Sequence, residues 1–458
     1  MKWQLLSLIL LFTITETLHA QTANDWVKKA SEKVKNKNYV GTIADCDSAL
    51  KIDPKSSKAY YNLGVAKIGL GHNADAITDL DQAISLDPKY APAYKERGKA
   101  KIGLGRYADA IEDCNQAISL DPTYTAAYNN RGVSQSNLGH YTEAINDFDK
   151  AISLDPKLVL AYNNCGSAKN YLHRYADAIV DFDKAIELDP KDTFAYFNRG
   201  GAKAGLGNFS DAIVDYNHAI ILDPKYEYAY NNRGNVKLSL GRYADAITDY
   251  DKAISLDPKF VLAYNNRGNV KLSLGRYSDA IEDCNQAIIL DPKSEYAYFN
   301  RGRAKLSLGS VEAITDLDQA IALDPKDASA YKNRGLAKNN LLGTYSDAIT
   351  DYDQAIILDP KDPLSFFNRG LSKNNLGRYA DAITDFDQTI FLHPDDALDA
   401  LAYSNRGYAY YKLGKIKSNY QKAIADYDMS IQLGGSSYKP TFKYRDDALA
   451  ALNKVEGL

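Results

Sequence analysis

The segment A-Y-N-N-R-G-N-V-K-L-S-L-G-R-Y at residues 229–243 returns unchanged at 263–277, 34 residues later. Looser copies run along most of the chain. A fixed period this short means that each unit is one supersecondary element that cannot bury its apolar face alone. Such a chain folds as a stack of neighbours, so its chemistry is read from the columns that repetition creates.

With Ser57 as position 1 of the frame, glycine occupies position 8 from Gly64 through Gly98, Gly132 and Gly166 to Gly302. The series continues with indels at Gly335, Gly370 and Gly407. Position 20 is alanine (Ala76, Ala110, Ala144, Ala178), and position 24 is mostly aromatic or Cys (Phe148, Phe182, Tyr216, Tyr250). Proline recurs at position 32, from Pro54 to Pro394. These columns predict two helices per unit. Helix A covers about positions 2–14 and ends at glycines such as Gly71, Gly105 and Gly139, where a left-handed cap suits glycine. Helix B begins near an aromatic at 17 (Tyr107, Tyr141, Tyr175) and stops before the Asp-Pro step. Glycine inside a helix costs about 1 kcal/mol against alanine, so close packing must favour it, and alanine at 20 is the expected neighbour.

The glycine, alanine, aromatic and proline columns resemble the tetratricopeptide repeat (TPR) pattern W-x2-L-G-x2-Y…A-x3-F…P. The first unit keeps the tryptophan as Trp26, and about twelve units fit between Ala23 and Gly435. The resemblance implies an all-α fold, a right-handed superhelical solenoid of antiparallel helix pairs. Spacing stays regular over residues 21–294, whereas in 295–435 the glycine-to-glycine steps become 33 (302 to 335), 35 (335 to 370) and 37 (370 to 407). One smooth superhelix is therefore expected to about residue 294, with irregular stacking beyond it. Residues 436–458 read as a C-terminal capping helix, with Phe442, Leu449, Leu452 and Val455 on one stripe and a polar outer face.

Residues 1–20 fall outside the repeat. Lys2, the apolar run Leu5–Ile14 and Leu18-His19-Ala20 before Gln21 have a secretory signal layout. Cleavage after Ala20 sends the protein to the periplasm or outside the cell; an uncleaved membrane anchor is the alternative. In an exported chain, four cysteines suggest disulfides. However, Cys46, Cys114 and Cys284 share one repeat position two and five periods apart, beyond the roughly 7 Å Cα separation that a bridge tolerates. Buried free thiols are expected instead.

Two columns depart from the family. Position 7 is usually arginine (Arg97, Arg131, Arg199, Arg233, Arg267, Arg301) and position 11 usually lysine (Lys67, Lys101, Lys169, Lys203). Aspartate stands at 23 in every unit (Asp45, Asp79, Asp113, Asp147) and commonly at 19 (Asp109, Asp177, Asp245). In a hairpin turning at position 15, 7 and 23 are equidistant from the turn, and so are 11 and 19. The charges thus suit an internal ion-pair ladder; a basic column that takes an acidic ligand is the other reading.

The resemblance implies that positions 2, 5, 6, 9, 12 and 13 of helix A line a concave groove. Position 6 is asparagine at Asn62, Asn130, Asn164, Asn198, Asn232, Asn266, Asn300, Asn333, Asn368 and Asn405. Each amide offers donors and an acceptor, so a periodic column can hold an extended peptide by its backbone. The arrangement resembles the asparagine ladder in the repeat domain of O-GlcNAc transferase. Asparagine kept here as a scaffold habit is the competing reading. A carboxylate clamp of the chaperone-adaptor kind is not expected, because Lys95 and Lys99 are followed by Asn130 and Asn164.

Catalysis is not expected. The six histidines are scattered without metal-ligand spacing, no phosphate loop or nucleophile motif appears, and no cofactor or small-molecule substrate is implied. A net charge of −4 argues against nucleic acid. The expected function is an exported, non-catalytic scaffold that binds protein or extended peptide partners. The alternative is an accessory subunit that docks on a cell-envelope assembly or synthesis enzyme through convex or C-terminal surfaces. Membrane contact follows only if the signal is uncleaved.

Overall fold

A computed structural model describes residues 22–414, 416–434 and 439–457. The signal segment 1–20 lies outside the described residues. The protein is an all-α array: 25 α-helices in consecutive packed pairs, with no strand among the described residues. None of these helices is long and apolar enough to cross a membrane. The chain divides into two compact units, one ending at Ala229 and one beginning at Tyr230.

Within a repeat the local rules act as the columns require. Helix A of the third repeat spans Ala91–Gly103, and helix B spans Tyr107–Leu120. Between them Gly105 takes φ 72°, the Arg106 amide donates to the Lys101 carbonyl at 2.9 Å, and the Gly105 amide donates to Ile102 at 2.9 Å. This double closure satisfies the last carbonyls of helix A. Lys37 and His173 hold the same left-handed position without being glycine. Helix B ends where Asp121 turns extended ahead of proline, and the Asp121 Oδ1 accepts the Thr123 amide at 2.9 Å.

Small side chains form the contact between paired helices. Ala93, Ala100, Ala110 and Ala117 are fully buried, and the same positions are buried in sister repeats. The large rings fill position 24, with Phe148, Phe182 and Tyr250 completely enclosed. The glycine at position 8 lies against this ring rather than against the alanine side chain at 20. A Cβ on Gly234 would come within 2.7 Å of Tyr250 Cε1.

The three unequal steps have distinct causes. Helix B of the ninth repeat is Ala313–Leu323, 11 residues against 14 in Tyr277–Leu290, and it lacks the aromatic start. The extra residue of the tenth repeat is absorbed by a π-helical turn, Lys338–Leu342. The last repeat lengthens both helices, to Asp396–Leu413 and Lys417–Gly434.

The terminal helix, Lys439–Glu456, corrects one expectation. Phe442, Leu449 and Val455 point outward, while Thr441 and Ala448 are fully buried. The helix takes the register of a helix A: Arg445 Nε pairs with Asp428 as other arginines pair with the preceding helix B. That register, not the apolar stripe, decides which face packs.

Candidate functional site

The charged columns form a ladder inside the array. Arg199 Nε donates to Asp215 Oδ2 at 2.9 Å and Nη2 donates to Oδ1 at 2.6 Å, while Nη1 reaches Asp183 of the preceding helix B at 2.6 Å. The guanidinium stacks over Tyr196, 5.4 Å from its centroid, and Lys203 takes the other side of Asp215 at 2.7 Å. Arg97, Arg267, Arg334 and Arg369 repeat the arrangement. Each such arginine ties its own hairpin to the preceding repeat. Burial opposes the charge on Arg199, yet its hydrogen bonds to Asp215 and Asp183 outweigh burial and hold the guanidinium above its ordinary value.

The expected pairing of positions 11 and 19 does not form. Lys101 Nζ reaches Asp113 at 2.7 Å, whereas Asp109 is held by Arg106 three residues earlier. Equal distance from the turn ignores side-chain reach: the long lysine chain extends to the more buried carboxylate, and Asp109 stays at the helix B N-terminus, where the dipole favours it. The basic column is therefore structural.

Three repeats lack the arginine, and the first of them has Lys29 in its place, over the Trp26 ring. In the other two, Leu63 and Cys165 stand at position 7, and burial pushes the Asp79 and Asp181 carboxyls above the usual carboxylate range, only partly offset by Lys67 and Lys169. All four cysteines are free and buried, and desolvation raises the thiols of Cys46, Cys114 and Cys284 to about 12.

The asparagine column is shared between internal bonds and open space. Asn62 Nδ2 donates to Ser31 Oγ at 2.9 Å. Asn164 donates to Asn129 Oδ1 at 3.1 Å and Asn266 to Asn231 Oδ1 at 2.9 Å, which links helix A to helix A. Asn232 Oδ1 accepts from Asn231 Nδ2 at 3.1 Å. Asn198, Asn333 and Asn405 turn back onto carbonyls four residues earlier, each at 2.8 Å. Asn130, Asn300 and Asn368 make no side-chain hydrogen bond among the described residues.

Three cavities open on helix A faces. In the unit ending at Ala229, one of about 640 Å3 has Asn164, Ser167, Asn170, Tyr171, Phe194 and Asn198 in its wall. There Ser136 Oγ, Ser167 Oγ and Asn170 Oδ1 are buried without a partner. A second, of about 370 Å3, brings Lys95 and Lys99 beside Asn129 and Asn130. In the unit from Tyr230, a cavity of about 560 Å3 includes Asn266, Asn269, Tyr296, Phe299, Asn300 and Arg303. Apolar side chains at position 2 stand exposed at the rims, Leu160 at 62% and Tyr296 at 67%. Sequence reasoning named position 2 without singling out these residues. Their signal was an apolar residue outside the buried stripe of helix A.

Comparison with known families and structures follows the repeat frame. The tetratricopeptide repeat pattern matches residues 57–90, 91–124, 125–158, 159–192 and 261–294 individually, and 299–363 and 367–438 as longer spans. A TPR repeat pattern covers 202–241 and 234–275. No curated protein matches. Similar solved structures include the APC/C hetero-tetramer Cut9-Hcn1, 16% identical over 95% of this chain and 98% of that one, with a TM-score of 0.48. Yeast Tom70 is 17% identical over 85% and 96%, with a TM-score of 0.43. YrrB, described as a TPR protein with an unusual peptide-binding site, is 25% identical over 40% and 95%, with a TM-score of 0.34.

Proposed function

The chain belongs to the tetratricopeptide-repeat family, and on that premise we propose that it is a non-catalytic scaffold that holds extended peptide segments of protein partners along its helix A grooves. The observation that carries this reading is the content of the cavities. Amides and hydroxyls with unused hydrogen-bonding capacity line them, beside exposed apolar side chains. An extended backbone supplies the missing donors and acceptors, and the rims take its side chains.

A second reading, rigid docking through helix B as an accessory subunit, has its own support. Ile289 is 71% exposed and Phe391 79% exposed, at one position near the end of helix B. Photo-crosslinking residues placed singly at Phe194, Tyr296 and Ile289 in the full chain separate the two. Partner crosslinks from Phe194 and Tyr296 are expected; crosslinks from Ile289 alone overturn groove binding in favour of docking.

Export to the periplasm or beyond is also proposed, on the charge, apolar run and small residue of the first twenty positions. Mass spectrometry of the protein from its native cells tests it: the mature chain begins at Gln21, and retention of Met1 in a cytoplasmic fraction refutes export.

A further inference from the structure

Arg303 stands apart from every other arginine of the described chain. From Arg97 to Arg445, each of the others holds a carboxylate within ion-pair distance. Arg303 holds none. It lies half-buried at position 9 of helix Glu295–Ser307, stacked over Phe299 at 5.5 Å, in the wall of the 560 Å3 cavity. Burial alone acts on its charge and lowers its hold on a proton. A partly buried guanidinium without a counter-ion is costly, and this array supplies one everywhere else.

The rest of the wall is equally unfinished. Asn265, more than nine-tenths buried, donates to Ser294 Oγ at 3.0 Å while its Oδ1 has no partner. Asn300, 7% exposed, makes no side-chain bond among the described residues. At the far end of the cavity Glu295 also lacks a cation, and burial together with Asp327 and Asp324 pushes its carboxyl upward. Arg303 and Glu295 are eight residues apart on one helix, about 12 Å of rise, so they do not neutralise each other. The cavity wall therefore holds one cation, Arg303, and three carboxylates, Glu295, Asp324 and Asp327, none of them in an ion pair among the described residues.

We propose that this cavity anchors a peptide segment with an acidic side chain on Arg303 and a basic side chain on Glu295, the two about four residues apart. The spacing follows from about 3.3 Å per extended residue. A carboxylate fits Arg303 as a bidentate acceptor. A phosphate would bring roughly twice the charge toward the carboxylates of Glu295, Asp324 and Asp327, so the carboxylate is favoured. This rests on the groove function proposed above and names its specificity.

The test is selection of phage-displayed random dodecapeptides on the full chain, followed by affinity measurement of the selected peptides. Enrichment of Asp or Glu three to five positions from Lys or Arg is expected. Arg303→Gln should weaken those peptides at least tenfold and erase the acidic preference, while Glu295→Gln should erase only the basic one. Arg303→Gln should also leave the unfolding midpoint unchanged or raised, because it removes an unpaired buried charge. A lowered midpoint would mean an internal partner and overturn the proposal. Selected peptides that keep their charge pattern on Arg303→Gln, show none on the parent, or bind more tightly with phosphoserine in place of the acid also overturn it, leaving groove binding intact. If no peptide is selected by folded parent protein, groove binding fails and the anchor fails with it.

Discussion

A Cβ placed on Gly132 would lie 2.6 Å from Cε1 of Phe148, closer than side chains tolerate. The same comparison at Gly98 gives 3.3 Å, to the sulfur of Cys114. Glycine at position 8 is thus required by the large side chain at position 24, a ring or a leucine such as Leu80, and cysteine relaxes the requirement where it stands there instead. The free thiols are accordingly packing residues.

Alanine scanning of the two glycines should separate them. Gly132→Ala forces the enclosed Phe148 ring or its backbone to move, at about 1–3 kcal/mol. Gly98→Ala meets the Cys114 sulfur at 3.3 Å and the Ala110 carbonyl oxygen at 3.4 Å, tight contacts that a shift of the sulfur relieves. The up to about 1 kcal/mol of helix propensity gained leaves a change much smaller than at Gly132. Urea midpoints by circular dichroism measure both. Equal losses at the two sites would show that the ring does not set the glycine column.

Removing one rung of the ladder should cost more than removing both partners. Arg199→Leu leaves Asp215, 1% exposed, with Lys203 alone, and a broken buried pair costs about 3 kcal/mol. The double variant Arg199→Leu, Asp215→Asn should recover at least half of that loss. If the single variant unfolds at the parent midpoint, the ladder contributes nothing.

Cys165→Arg should stabilise the fifth repeat. Tyr162, Asp149 and Asp181 occupy the positions that Tyr196, Asp183 and Asp215 occupy around Arg199, and the Cys165 sulfur lies 3.6 Å from Asp149 Oδ1. Completing the rung adds hydrogen bonds to charged groups, and after the desolvation of the guanidinium a gain of about 1–2 kcal/mol is expected. The pH dependence supplies a second readout. Asp181 has a folded pKa raised above 3.8, so the native state takes up a proton first and this residue's contribution to stability rises as pH falls through that raised value. In Cys165→Arg that low-pH rise should vanish. A variant no more stable than the parent, with the rise intact, would show that the site does not accept the guanidinium.

The paired helices and the Arg–Asp rungs were legible in the sequence because a fixed period converts spacing into register. Arg199 and Asp215 meet as positions 7 and 23 must. Even Arg406 and Asp426, 20 residues apart instead of 16, keep their paired bonds although the helices on both sides of the turn are longer. What register does not encode was missed. Lys101 reaches Asp113 rather than Asp109 because of side-chain length. The amides of Asn198 and Asn405 bond back to their own helix, a choice of rotamer that column statistics cannot carry. Arg303 belongs to no column, and its importance lies in a missing partner, which only three-dimensional placement reveals.

The last prediction concerns the junction before the final repeat, where histidine replaces the aspartate that closes helix B elsewhere. His393 takes φ 42° and its Nδ1 contacts Oδ2 of Asp399, a carboxylate only 3% exposed whose other oxygen has no partner. The hydrogen bond to Asp399, then its charge, raises the His393 pKa above 6.5. A basic group with a raised folded pKa stabilises fully below its unfolded value and loses that contribution as pH rises through the folded one. Thermal unfolding of the parent should therefore fall between slightly acid and mildly alkaline pH at low salt. His393→Gln should be less stable than the parent at pH 5.5 and nearly equal to it at pH 9, because the unprotonated imidazole no longer supplies charge to Asp399. Asp399→Asn should flatten the same slope from the other side. If parent and His393→Gln trace parallel curves across that range, the histidine is a passive turn residue and the buried carboxylate is stabilised without it.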